Sequence, residues 1–189
     1  MYQFKNFVDM DSEEVSLVWR WRNNPEIRKW SYFMEERSLD DHINFIESLK
    51  SSNDKKYWLV QRSGTPIGVI SLVNIKKKTA ELGLYIGPSF HLKFFSAEIF
   101  YNTLLFIFEE IKIRELYGYV KINNKAANAL DDFFGFSKEI RLLPVGEELC
   151  EYYFRQLRFD DWVKNVKNKE EIIKLVEKIK TFSLQSKKN

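Results

Sequence analysis

Residues 79–98 read T-A-E-L-G-L-Y-I-G-P-S-F-H-L-K-F-F-S-A-E and constrain the fold more than any other stretch of the chain. Leu82, Leu84 and Ile86 alternate with Glu81, Gly83 and Tyr85, which is the period of a strand. Gly87-Pro88 ends the alternation. After a short loop comes a run that holds Ile99, Phe100, Leu104, Leu105, Phe106, Ile107 and Phe108. Apolar on almost every side, it predicts a helix over 94–113 packed across a sheet. A strand that turns through a loop into a helix points the helix's free N–H groups and its dipole at the loop, a geometry suited to an anion.

The rest of the chain supplies partners for that unit. Residues 2–8 alternate weakly and predict a first strand. Asp11 and Glu14 form a capping box that starts a helix near Ser12, and the helix stops at Arg22-Asn23-Asn24-Pro25, because the residue before proline avoids helical φ/ψ. Ser38 and Asp41 cap a second helix with His42 near its start and Ile43, Phe45, Ile46 and Leu49 along it. Strands at 56–62 and 67–75 flank the Ser63-Gly64-Thr65-Pro66 turn, and Lys76-Lys77-Lys78 turns the chain into the central strand, which completes a three-stranded meander. Beyond the long helix, a strand at 116–122 implies parallel pairing through the crossover. Asn123 or Asn124 then caps a short helix that ends at Gly135, and strands follow at 137–143 and 149–157. In the tail, Ile172, Leu175, Val176 and Ile179 fall at helical spacing. The tail is expected to dock this face onto the domain or onto a second subunit in a homodimer. The expected division is one domain over 1–157 and a lysine-rich amphipathic extension over 158–189.

Composition narrows the functions. At 189 residues the chain suits one domain with a sizeable core. A net charge of +3 gives no argument for a nucleic-acid partner. A lone cysteine, Cys150, permits neither a disulfide framework nor a cysteine metal site, and no metal is expected. No signal-peptide pattern opens the sequence and no apolar run nears the ~20 residues of a membrane span, so a cytoplasmic protein is expected. Sixteen Phe and five Trp imply an aromatic-rich core or a site that stacks flat ligands.

The element order, β-α-α-β-β-β-α-β-α-β-β plus a terminal helix, resembles the GNAT superfamily of acyltransferases over residues 1–157. Asn124-Lys125-Ala126-Ala127-Asn128-Ala129-Leu130-Asp131-Asp132-Phe133-Phe134-Gly135-Phe136 is similar to that family's N-x-K-A-x-x-L-Y-E-x-x-G-F segment. Trp21-Arg22-Asn23-Asn24-Pro25, Trp30-Ser31-Tyr32, His42-Ile43-Asn44-Phe45-Ile46, Tyr57-Trp58-Leu59-Val60, Ile67-Gly68-Val69-Ile70-Ser71 and Leu82-Gly83-Leu84-Tyr85 resemble one branch. That branch is the N-acetyltransferases of pseudaminic-acid biosynthesis, which acetylate the 4-amino group of a UDP-linked 4-amino-4,6-dideoxy sugar.

The resemblance implies an α/β (α+β) GNAT fold, a mixed sheet of about seven strands flanked by helices, with an extra C-terminal helix. It implies acetyl-CoA or another acyl-CoA as co-substrate and a UDP- or dTDP-linked amino sugar as acceptor. The CoA pyrophosphate would lie on the loop and helix start at Lys93, Phe94, Phe95, Ser96 and Ala97, with Ile86 and Asn124 also on the cofactor side. There the family carries Q/R-x-x-G-x-G/A. Here His91-Leu92-Lys93-Phe94-Phe95-Ser96 fills both glycine places with other residues, and Phe94 brings bulk where backbone must approach phosphate. The thioester carbonyl would be held by backbone N–H around Tyr85-Ile86. Glu81 or His42 would take the amine's proton, directly or through water. The family's proton donor to the thiolate is the Tyr of L-Y-E; here Asp131 stands in its place. An ordinary carboxyl of pKa ~3.9 holds no proton at neutral pH, so Asp131 serves only if burial raises it; otherwise it is a surface carboxylate, and Tyr85, another tyrosine or a water takes over. Arg22 would pair with phosphate, Trp30 and Tyr32 with base and sugar, and Ser71, Tyr85 and His42 would line the acceptor pocket. The alternatives within the same residues are a helix-end charge for Arg22, a core aromatic for Trp30 and a buried strand hydroxyl for Ser71. Two further functions stay open: a GNAT-like binding protein that has lost acyl transfer, and acylation of a protein N-terminus or another amine.

Overall fold

The structure, a computed structural model, describes residues 1–31, 34–90, 93–145, 148–167 and 169–185. The chain forms two compact units, one of residues 2–91 with 143–150, the other of Met1, 92–142 and 151–189.

In the first unit, β1 (Tyr2–Asn6) leads to α1 (Ser12–Asn23). The predicted capping box is present: the Asp11 carboxylate accepts from the backbone N–H of Glu13 and Glu14, and the Glu14 carboxylate accepts from that of Asp11. Asn24, at ψ 126°, breaks α1 ahead of Pro25 and then caps a single turn, α2 (Pro25–Arg28), which no sequence signal separates from the turn expected there. Ser38 caps α3 (Leu39–Ser48). Then β2 (Lys56–Arg62), β3 (Thr65–Lys76) and β4 (Thr79–Ile86) follow as an antiparallel meander with β1 against β2. One face of these strands supplies Leu59 and Val69 to a core with Phe7, Val18, Trp21, Ile27, Ile46 and Leu49, beneath α1 and α3. The same face places Tyr57, Ser71 and Gly83 in one row across three strands, since Tyr57 pairs with Ser71 and Ser71 with Gly83. A Cβ on Gly83 would overlap the Ser71 hydroxyl and push it out of its place in the row.

In the second unit, α4 (Lys93–Leu105) continues into a π-helical turn, Phe106–Ile111, closed by Lys112 in the left-handed region at φ 65°. The single helix predicted over 94–113 is therefore two hydrogen-bond registers, because the apolar run continues unbroken while the backbone ladder slips. β5 (Glu115–Lys121) pairs antiparallel with β7 (Glu148–Arg158), whose other neighbour is β6 (Ser137–Val145). Between β5 and β6 lies α5 (Lys125–Phe133), capped by Asn124 and closed by Gly135 at φ 78°. After β7 the chain makes a turn, α6 (Phe159–Asp161), a π-helical stretch Trp162–Val166 and α7 (Glu170–Gln185). Trp162 is wholly buried, with ring centroids 6.0 Å from Tyr101, 6.3 Å from Phe108 and 6.2 Å from Phe134. Val166 packs where a Cβ on Gly135 would stand, so that glycine serves both the left-handed turn and the tail's seat. Of the face expected to dock, Ile172 is buried and Leu175 and Val176 are half-buried, while the side chain of Ile179 lies outside the described residues.

Candidate functional site

Arg22 stands in the last turn of α1, where helix and Pro25 together fix its direction. Its guanidinium is half-buried. Burial lowers its pKa, the neighbouring Tyr85 and Tyr57 pull it back up, and Arg37 and Arg28 lower it further. His42 lies one turn into α3 and faces inward with Ile46, which is the next position along the same helix face. Only 5% of it is exposed, its ring meets the edge of Phe7 at 6.5 Å, and its Nε2 has no hydrogen-bond partner among the described residues. Burial first, then Arg37 and Arg22, bring its pKa down to about 4, so the ring is neutral at pH 7.

Beneath these groups lie the strand residues. Tyr57 shares a side-chain hydrogen bond with Ser71; burial pushes its phenol up, while Arg37 and Arg22 draw it down and Glu81 raises it. Tyr85, opposite Val69, is pushed far above the ordinary phenol range by burial, with Arg22 opposing. Glu81, half-buried on the same face, accepts a hydrogen bond of 2.8 Å from Asn74 Nδ2. Arg22, His42, Ser71, Glu81 and Tyr85 therefore form one electrostatic neighbourhood. Two further members of it, Arg37 and Tyr57, escape the sequence reading. Arg37 sits in a charged loop, M-E-E-R, that reads as solvated, and Tyr57 reads as one more strand aromatic. Ile86 is buried in β4 opposite Gly68. Trp30 is 40% exposed, with Lys29 Nζ 5.3 Å from its ring, and so is not the core aromatic offered as the alternative. Tyr32 and His91 lie outside the described residues.

The other unit holds the remaining candidates. Lys93 begins α4, whose first-turn N–H groups have no acceptor within the helix. Ser96 and Ala97 are half-buried, and the side chains of Lys93, Phe94 and Phe95 lie outside the described residues. Asn124 spends its side-chain oxygen on the cap of α5, accepting from Ala127 N–H at 3.2 Å. Asp131 is 7% exposed, which corrects the surface reading. The reason is Arg155 on β7, itself 1% exposed. Its Nε lies 3.6 Å from Asp131 Oδ2, its Nη1 donates to Asp132 Oδ1 at 2.6 Å and its Nη2 to Asn128 Oδ1 at 2.8 Å. Asn128 Nδ2 in turn donates to the carbonyls of Lys121, Ile122 and Asn124. Burial raises Asp131 from 3.8 to about 7, Arg155 pulls it down and Asp132 pushes it up.

Known proteins extend this geometry. Residues 5–137 match the model of the acetyltransferase (GNAT) domain. Two proteins of Campylobacter jejuni named acetyltransferase PseH, from different strains, are 36% and 39% identical over 129 residues, 67% of this chain and 79% of each relative. The crystal structure of Campylobacter jejuni N-acetyltransferase PseH in complex with acetyl coenzyme A superposes with a TM-score of 0.64 at 26% identity, covering 84% of this chain and 99% of that one. A spermidine N-acetyltransferase of Vibrio cholerae, solved with CoA and spermine, reaches a TM-score of 0.75 over 86% of this chain and 98% of its own, but at 16% identity it speaks for the fold alone.

Proposed function

The chain belongs to the acetyltransferase (GNAT) domain family, and on that footing we propose that its acceptor is the amino group of a nucleotide-linked amino-dideoxy sugar. It has the GNAT fold and is an acetyl-CoA-dependent N-acetyltransferase. A binding protein without acyl transfer is not favoured. The observation that carries the acceptor reading is the sign of the charge beside the strand floor. A cationic polyamine acceptor calls for carboxylates, whereas here two guanidiniums flank a neutral, buried histidine. Such a cluster suits a diphosphate, and Arg22 gives it a fork of donors. The likeness of residues 21–85 to the pseudaminic-acid branch supplies the sugar, with Ser71, Tyr85 and His42 along its pocket and Trp30 and Tyr32 at the base.

Acetyl transfer makes one amide bond, breaks one thioester and moves one proton from nitrogen to sulfur. Backbone N–H groups around Tyr85-Ile86 polarise the carbonyl. Glu81, steadied by Asn74, takes the amine's proton through a water. His42, with a pKa near 4, is too weak a base for that step and serves as a neutral hydrogen-bonding partner of the acceptor. Tyr85 keeps its proton at neutral pH and hydrogen-bonds the departing sulfur, since burial makes it a weaker acid than a thiol, and the proton held by Glu81 returns to the sulfur through water. Asp131 belongs to the Arg155 network and not to the proton path. On the CoA side, the first-turn N–H groups of α4 at residues 93–96 receive the pyrophosphate, with Ser96 and Ala97 beside it; that backbone offer needs no glycine.

No helix among the described residues is long and apolar enough to cross a membrane. A cytoplasmic enzyme accords with acetyl-CoA as donor, and a homodimer accords with Ile140 and Leu142, 58% and 57% exposed on the outermost strand β6. A thiol-release assay with acetyl-CoA tests the acceptor, using UDP- and dTDP-linked amino sugars beside spermidine and a peptide amine. Turnover is expected with a nucleotide sugar alone; preference for spermidine or the peptide overturns the reading.

A further inference from the structure

Between α2 and α3 the backbone of one residue is held from three directions. The Asn23 side-chain amide grips Arg37 at both polar atoms, its Oδ1 accepting from Arg37 N–H at 3.0 Å and its Nδ2 donating to Arg37 C=O at 2.8 Å. Trp19 Nε1 donates to the same carbonyl at 2.7 Å. Glu36, the neighbouring residue, pairs with Arg28 at 2.9 Å, and Ser38, on the other side, is the cap of α3. All this fixes a residue whose own guanidinium has no hydrogen bond or ion pair among the described residues. Fixing the backbone removes conformational freedom that a bound anion would otherwise have to remove itself. The exposed Arg37 guanidinium stands near the acceptor groups, for it acts electrostatically on His42, Tyr57 and Arg22 together. Bringing two guanidiniums near each other is unfavourable until an anion lies between them.

We propose that Arg37 is a second phosphate-binding residue of the acceptor site and that Asn23 positions it through the paired amide clasp. The inference rests on the nucleotide-sugar reading above. Titration calorimetry with UDP, dTDP and acetyl-CoA tests it, alongside the melting temperature. Arg37→Ala is expected to weaken nucleoside diphosphate binding by ~10–100-fold, the loss of a charge-assisted bond, while acetyl-CoA affinity and melting temperature stay as in wild type. Arg37→Lys should recover part of the loss. Asn23→Ala keeps a good helix former at the end of α1 and is expected to weaken only the diphosphates; in an Arg37→Ala background it should cost nothing more. If Arg37→Ala binds UDP or dTDP as tightly as wild type, Arg37 has no such role and the proposal falls by itself. If Asn23→Ala lowers the melting temperature and weakens all ligands alike, also in the Arg37→Ala background, the clasp is only a loop anchor. If wild type binds acetyl-CoA but neither diphosphate, the acceptor reading fails and takes this one with it.

Discussion

Arg155, 1% exposed, is surrounded by Asp131, Asp132 and the Asn128 amide, whereas Arg22, half-buried, has Tyr85, Tyr57, a second guanidinium and a neutral histidine among its neighbours. Both clusters take charge out of water, which is costly unless opposite charge or hydrogen bonds replace the lost hydration. Around Arg155 the replacement comes from the protein itself, and every partner lies on α5 or β7. Around His42, neighbouring charge has the same sign as the proton it would carry, so stability alone gives no reason for the arrangement. The first cluster therefore reads as architecture, and the second fits the ligand-charge role proposed for it above. Asp131, buried beside Arg155, belongs to the first of these clusters by its contacts.

The largest test of this contrast is Arg155→Ala. It leaves Asp131 buried without its cation and Asn128 without its donor, and is expected to cost ~3–5 kcal/mol in a denaturant titration. A loss below ~1 kcal/mol would place Arg155 among ordinary surface pairs and erase the distinction. Next comes Asp131→Asn, read as a pH dependence. The folded pKa of about 7 lies above the ordinary 3.8, so Asp131 contributes stability fully below pH ~4 and loses it as pH rises through 7. Wild type should shed up to ~1.4 kcal/mol per pH unit across that window. Asp131→Asn should flatten the slope while acetyl transfer persists; a loss of turnover would return Asp131 to the proton path. His42→Leu should act in the opposite sense on the fold. Removing an imidazole whose Nε2 has no partner among the described residues should leave stability unchanged or raise it by about 1 kcal/mol, while acceptor KM rises ~10-fold. A large fall in melting temperature would make His42 structural too. The smallest effect is Trp30→Ala, expected within ~0.5 kcal/mol of wild type in stability because the ring is 40% exposed. Its acceptor KM should rise all the same.

What could be read from the sequence was local. The Asp11 and Glu14 box, the Ser38 and Asn124 caps and the glycine turn at Gly135 each depend on contacts within a few residues, and all four are present. The meander followed from alternation and turn residues for the same reason. What escaped depends on distant partners. Asp131 looks like a surface carboxylate until Arg155 is brought beside it, and nothing in L-D-D announces that. Arg37 looks like one more loop charge, because the clasp on its backbone comes from Trp19 and Asn23 on α1. The tail's periodic face, Ile172 to Ile179, was visible, but its deepest anchor, Trp162, is a single residue with no period to detect. The slip from α4 into a π-helical turn left no mark either, since an all-apolar run looks alike in both registers.

The depth of Trp162 bears on how the chain acquires its structure as it is made. The unit that holds α4 and α5 draws its core from segments far apart in sequence, and Tyr101, Phe108 and Phe134 complete their packing only when Trp162 arrives. The core of Phe7, Trp21 and Ile46 lies wholly within residues 2–91 and needs no such wait. Vectorial synthesis should therefore leave the apolar surface of residues 99–108 uncovered for the interval in which the next fifty-odd residues are translated, the period when chaperone capture or aggregation competes most. Residues past β7, which read as an appendage in sequence, set the moment at which that exposure ends.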